Sequence, residues 1–157
     1  MSNSPFGKKY TFFRQQYAIN FQAVTSQKGL NTINVEIAPV QNKEAMWAEK
    51  ISLQLSDVDL FKYFYTFSHG LYYTYESKYH GKDRNKSIRF NESKDGCNIT
   101  LSDAGKVLHF NCSIGEWFYA QLLLLEQMLG HPLSVTEAKE LILLEKRSNK
   151  GAQSKNS

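Results

Sequence analysis

From Tyr10 onward, apolar side chains alternate with polar ones: Tyr17, Ile19, Phe21 and Ala23, then Ile33, Val35 and Ile37, then Ile51, Leu53 and Leu55. A period of two is the spacing of strands that bury one face. Gly29 and the stretch from Pro39 to Asn42 interrupt the runs as turns. At Ser56 the period changes, because Ser-Asp-Val-Asp supplies an acceptor for orphan amides and acids for a helix first turn. Leu60, Phe61, Phe64 and Tyr65 continue at helical spacing, and Gly70 ends that helix. Alternation then returns over roughly 71–79, 86–91, 97–102 and 106–112, with Asp95-Gly96 and Ala104-Gly105 as hairpin turns. Ser113 and Glu116 form a capping box opening a helix over 114–129. Ser134 and Glu137 form another, for a helix from 134 to about 147 with Val135, Ala138, Leu141 and Ile142 on one face.

The halves read alike: alternating residues run into a serine cap followed three positions later by an acid, at Ser56 and again at Ser113. The expected fold is therefore α+β, two repeats of about four antiparallel strands plus a helix, with an extra C-terminal helix. The domain spans 10–147, between a flexible basic N-terminus (1–9) and a disordered tail (148–157) without apolar period. The 114–129 helix carries Trp117, Phe118, Leu122 to Leu125, Met128 and Leu129, apolar nearly all round. Such a helix needs cover on more than one side. Its own sheet supplies one; the third helix or another subunit supplies the other, which makes a homo-oligomer, dimer or tetramer, an expectation.

Composition narrows the partner. A length of 157 residues suits one domain, and nine tyrosines with ten phenylalanines exceed what one core needs, so some rings belong to a working surface. A formal charge of +4 fits a polyanion. Two cysteines, Cys97 and Cys112, suggest no disulfide scaffold, and the absence of a leader or membrane-length apolar run points to the cytoplasm. His69, His80, His109 and His131 lack metal-site spacing, so neither metal nor cofactor is expected. Nucleophile elbows, phosphate loops, metalloprotease helices and paired carboxylates are missing, so no enzyme is expected, and Asp57 and Asp59 read as first-turn acids.

Positive charge concentrates between Lys78 and Lys94, in Lys78, Lys82, Arg84, Lys86, Arg89 and Lys94, with only Asp83 and Glu92 as acids. Cations in a strand-loop-strand element can follow phosphates by releasing condensed counterions. Tyr73, Tyr75 and Tyr79 precede them at strand spacing, as platforms on which bases stack. Lys8, Lys9 and Arg14, beside Phe12 and Phe13, form a second basic-aromatic cluster. The plain alternatives are a solvated charged hairpin and half-buried strand tyrosines.

In order along the chain, Gly81-Lys82-Asp83-Arg84-Asn85-Lys86-Ser87-Ile88, the Asp95-Gly96 turn, the strand to Phe110 and the helix with Glu116, Trp117 and Phe118 resemble the Whirly family of single-stranded DNA-binding proteins. That family is related in fold to the positive-cofactor-four coactivators. The resemblance covers roughly 10–130 and implies curved sheets binding single-stranded DNA. It departs from the family where Arg14-Gln15-Gln16-Tyr17-Ala18-Ile19 replaces an early lysine-glycine-lysine segment. The looser match suits a bacterial or mobile-genetic-element relative. The expected function is sequence-tolerant single-stranded DNA binding; the alternatives are single-stranded RNA binding and a dimeric protein-interaction module.

Overall fold

The computed structural model describes residues 6–60 and 74–142. Its first half is an antiparallel meander of β1 (Phe6–Phe13), β2 (Tyr17–Thr25) and β3 (Asn31–Gln41), completed by β4 (Glu44–Ala45) and β5 (Ile51–Gln54). Both short strands pair with β3, so they form one interrupted row, broken by a 3-10 turn at Trp47–Glu49. Asn42 and Lys43, with φ of 52° and 66°, make the β3–β4 turn. Pro39, expected in a turn, lies inside β3 opposite Tyr17, where β2 begins. A helical segment, α1, starts at 57, behind Ser56. Its expected course through Phe61, Phe64 and Tyr65 to Gly70 lies outside the described residues.

The second half is a meander of β6 (Thr74–His80), β7 (Lys86–Ser93), β8 (Gly96–Asp103) and β9 (Lys106–Ser113), in that order across the sheet. Helix α2 (Ile114–Leu129) follows β9 without a linker, because Ser113 ends the strand and caps the helix in a reciprocal box with Glu116. A last helix, α3, covers 135–142 behind the Ser134–Glu137 capping box. The architecture is thus α+β, two antiparallel sheets with a few helices. No helix among the described residues is long and apolar enough to cross a membrane.

One core joins the halves. Ile19, Phe21, Ile33, Val35, Ile37, Leu53 and Leu55 on the inner face of the first sheet meet Ile88, Phe90, Ile99, Leu101, Leu108 and Phe110 of the second. Helix α2 closes it, burying Trp117, Ala120, Leu123 and Leu124. Phe90 lies 5.2 Å from Trp117 between ring centroids. Both sides of α2 are therefore covered largely within the chain, although Ile114, Tyr119, Met128 and Leu129 stay exposed. Gly96 has a backbone reason: a Cβ there would overlap the Cys112 carbonyl oxygen, and its φ of 142° is open only to glycine.

Two boundaries differ from the sequence reading. The chain enters β1 at Phe6, inside the stretch expected to be flexible, because a bulge between Phe6 and Lys9 keeps the strand paired to β2. Gly96 opens β8, so Lys94 and Asp95 form the hairpin loop between the paired Ser93 and Gly96.

Candidate nucleic-acid interface

Alternation in β7, β8 and β9 sends Ile88, Phe90, Ile99, Leu101, Leu108 and Phe110 inward, and the residues between them outward. The outer face therefore carries registered rows. One runs Glu76–Arg89–Thr100–His109 and the next Thr74–Asn91–Asn98–Asn111, from β6 to β9. Their side chains bond to one another: Thr74 Oγ1 donates to Asn91 Oδ1 at 2.8 Å, Asn98 Nδ2 to Asn111 Oδ1, and Thr100 Oγ1 lies 3.0 Å from His109 Nδ1. Arg89, Asn91, His109 and Asn111 are solvent-exposed. Such a face offers amide, hydroxyl and guanidinium groups on a rigid spacing.

At its rim, β6 bulges between Ser77 and His80, and Tyr79 takes a φ of 68° and is 75% exposed. Gly81 and Arg84, also at positive φ, turn the chain back into β7, leaving Lys82 and Arg84 in water. Lys78 is exposed and 3.7 Å from Glu76. Lys78, Tyr79, Lys82 and Arg84 are thus exposed on β6 and the β6–β7 loop, at the rim of the face that carries Arg89.

Other expected contacts go elsewhere. Tyr75 faces the core at 6% exposure, stacked on Phe90 with its hydroxyl donating to Asp59 at 2.7 Å, so it offers no surface to a base. The bulge separates it from Tyr79, and the expected single tyrosine face does not form; Tyr73 lies outside the described residues. Lys86 belongs to the inner row, where its Nζ donates to the Ser52 carbonyl at 3.0 Å and ties the two sheets together. Arg14 makes a bidentate pair with Glu116, donates to Asn111 O, and sits 4.8 Å over the Phe110 ring. It clamps the β1–β2 turn to the start of α2, which lowers the Glu116 pKa against the opposing effect of burial. Lys8 lies 3.7 Å from Glu126 and over the Tyr10 ring. Lys9 is exposed on the first sheet, away from the second.

A cluster that sequence reasoning read as ordinary capping surrounds Asp59. This buried carboxylate accepts from Ser56 N (2.8 Å), Ser56 Oγ, Tyr75 Oη and Ser77 Oγ, and lies 3.2 Å from His80 Nε2. Burial alone would push its carboxyl up, but the His80 ring, the Ser56 amide and the two hydroxyls outweigh it and hold it well below the usual range. Ser, His and Asp together suggest nucleophilic catalysis, but the wiring differs. Ser77 Oγ, 2.7 Å from His80 Nε2, and the Asp59 carboxylate both meet the same ring nitrogen, whereas a relay uses opposite nitrogens. The cluster anchors the start of α1 to β6. No signal short of the β6 bulge itself would have brought His80 to Asp59.

Burial raises both thiol pKa values, that of Cys112 to about 12, so neither cysteine is a thiolate at neutral pH. Among the described residues no group of three His, Cys, Asp or Glu could hold a metal. No protein-family model, curated protein or solved structure matches this chain.

Proposed function

We propose that the outer face of the β6–β9 sheet, rimmed by the β6–β7 loop, binds single-stranded DNA with little sequence preference, as a Whirly-like binder of two repeated meanders. The observation that carries this reading is the open pair of polar rows with exposed Arg89 among them and exposed Tyr79, Lys82 and Arg84 at the edge. Lys82, Arg84 and Arg89 neutralise phosphates, and Tyr79 stacks on a base, a contact worth about 1–3 kcal/mol that any base can make. The amide rows bond to base edges or sugars. Each meander running into a capped helix also agrees with the plan that the family resemblance implies.

The test is a fluorescence-anisotropy titration of labelled single-stranded DNA, single-stranded RNA and duplex DNA at low and moderate salt. Single-stranded DNA should bind best, below micromolar at low salt. Neutralising Lys82, Arg84 and Arg89 together should weaken binding and reduce the slope of log K against log salt by about 2, since each single-strand phosphate contact contributes about 0.7. Preference for RNA would reassign the ligand. If no oligonucleotide binds better than micromolar, the reading is wrong.

A further inference from the structure

Strand β1 is an edge: among the described residues it pairs with β2 alone. Edge strands are templates for another chain unless they are blunted by bulges or charges. The N-terminal part of β1 is blunted, because the bulge spans Gly7 and Lys8. From Lys9 to Phe13 the strand is regular, in unbroken register with Gln22 to Ala18, and the flat segment reads Lys-Tyr-Thr-Phe-Phe.

The direction of its free backbone groups follows from one bond. Arg14 N donates to Tyr17 O at 2.8 Å, so that pair is hydrogen-bonded across β1–β2. Alternation along an antiparallel ladder makes Phe12↔Ile19 and Tyr10↔Phe21 bonded pairs too. Lys9, Thr11 and Phe13 therefore aim their N–H and C=O groups away from β2, at the open edge.

We infer that this edge pairs with the same edge of a second copy, antiparallel about Thr11. A two-fold axis normal to the sheet keeps inner face beside inner face, so the numbers of facing residues must sum to an even value. A sum of 18 sets Lys9 against Lys9 of the partner copy, two like charges. A sum of 20 runs into the bulge at Lys8, and a sum of 24 pairs only three residues. A sum of 22 pairs all five flat residues: Thr11 with Thr11, Tyr10 with Phe12, and Lys9 with Phe13. It exchanges backbone bonds at the positions whose groups point outward. It sets an ammonium beside a ring rather than beside another ammonium, a favourable cation–π arrangement. On the inner face the Tyr10 ring already lies 5.2 Å from that of Tyr119, which is 40% exposed, and the second copy's Phe12 extends this aromatic patch. Phe13, 55% exposed on the other face, is covered in the same step. This pairing rests on the strand edge and is independent of nucleic-acid binding.

Sedimentation velocity of the full chain at about 100 µM, with its Thr11→Pro variant, tests it. The Thr11 N–H faces outward, so proline there spares the β1–β2 ladder while blocking the new one. The expected result is a dimer for the wild type and a monomer for Thr11→Pro with an unchanged circular-dichroism spectrum. A second measurement covers misfolding of that variant. Under mild oxidation Lys9→Cys/Phe13→Cys should yield cross-linked dimers, whereas Lys9→Cys alone should not, because two Lys9 positions lie about 13 Å apart in this register. A wild-type monomer overturns the proposal. So does a dimer that a folded Thr11→Pro variant preserves, or one that the single cysteine cross-links as well as the pair.

Discussion

Replacing Asp59 separates what its charge does from what its shape does. Asp59→Ala leaves the Ser56 amide, the Ser77 and Tyr75 hydroxyls and the His80 ring without their common acceptor. Tyr75 is buried, so its hydroxyl carries the full penalty of a lost partner, about 1–3 kcal/mol. Loss of the reciprocal capping-box acceptor for the Ser56 amide and hydroxyl adds about 1 kcal/mol. The contacts of Ser77 and His80, partly open to water, add about another 1 kcal/mol. Asp59→Ala should therefore cost about 3–5 kcal/mol in urea unfolding at pH 7. Asp59→Asn can keep its oxygen on the Ser56 amide and turn its NH2 towards the two hydroxyls, which rotate to accept. It loses only charge assistance, about 1–2 kcal/mol. The pH dependence supplies the sign. The folded-state pKa lies below that of the unfolded chain, so the carboxylate's stabilisation is complete above about pH 4 and is lost as pH falls towards the folded-state value. The wild type should weaken through that window and Asp59→Asn should weaken less. Equal unfolding midpoints for the two variants, or wild-type-like stability for Asp59→Ala, would refute this account.

Other outcomes follow from single contacts. Gly96→Ala forces the β8 backbone away from Cys112 and strains a glycine-only φ, so thermal and urea unfolding should show a loss of about 2–4 kcal/mol. Gly105→Ala, in open space at a φ of 91°, should cost less, about 1 kcal/mol, in the same assay. Arg14→Met removes the clamp on Glu116 but keeps some packing over Phe110; because the pair is partly exposed, a loss near 1 kcal/mol is expected by denaturant titration. Thiol labelling with a disulfide reagent at pH 8 should leave Cys97 and Cys112 unmodified until the protein unfolds, since both are buried and protonated.

The alternation in β7 and β9 was legible because apolar and polar residues there fall largely on opposite parities and burial follows them, whereas β2 and β3 also bury Ala18, Asn20, Thr32 and Ala38 on the other parity. The serine caps were legible for a similar reason: the motif is local. Strand β6, Thr-Tyr-Glu-Ser-Lys-Tyr-His, has no aliphatic residue to set its faces, so only the pairing of Tyr75 with Phe90 shows that this ring turns inward. Its bulge is equally silent in sequence, and it decides two things: Tyr79 leaves the face of Tyr75, and His80 comes to Asp59. Of the basic residues, Lys82, Arg84 and Arg89 stand exposed where a charge count would put them. Arg14 and Lys86 are taken by partners 102 and 34 positions away, and composition cannot show such pairings.

The lysines that cross between the sheets bear on how the chain leaves the ribosome. Lys86 reaches the Ser52 carbonyl and Lys106 the Glu49 carbonyl at 2.7 Å, so the β5 side of the first sheet is finished by residues made later. Its inner face also waits for Phe90, Phe110 and α2. A nascent chain stopped near residue 60 holds a complete meander with one apolar face and an unfinished edge, the kind of surface that aggregates during synthesis. Truncation before Lys86 should therefore yield insoluble material rather than a small stable domain, and the first half has every reason to meet a chaperone before it meets the second.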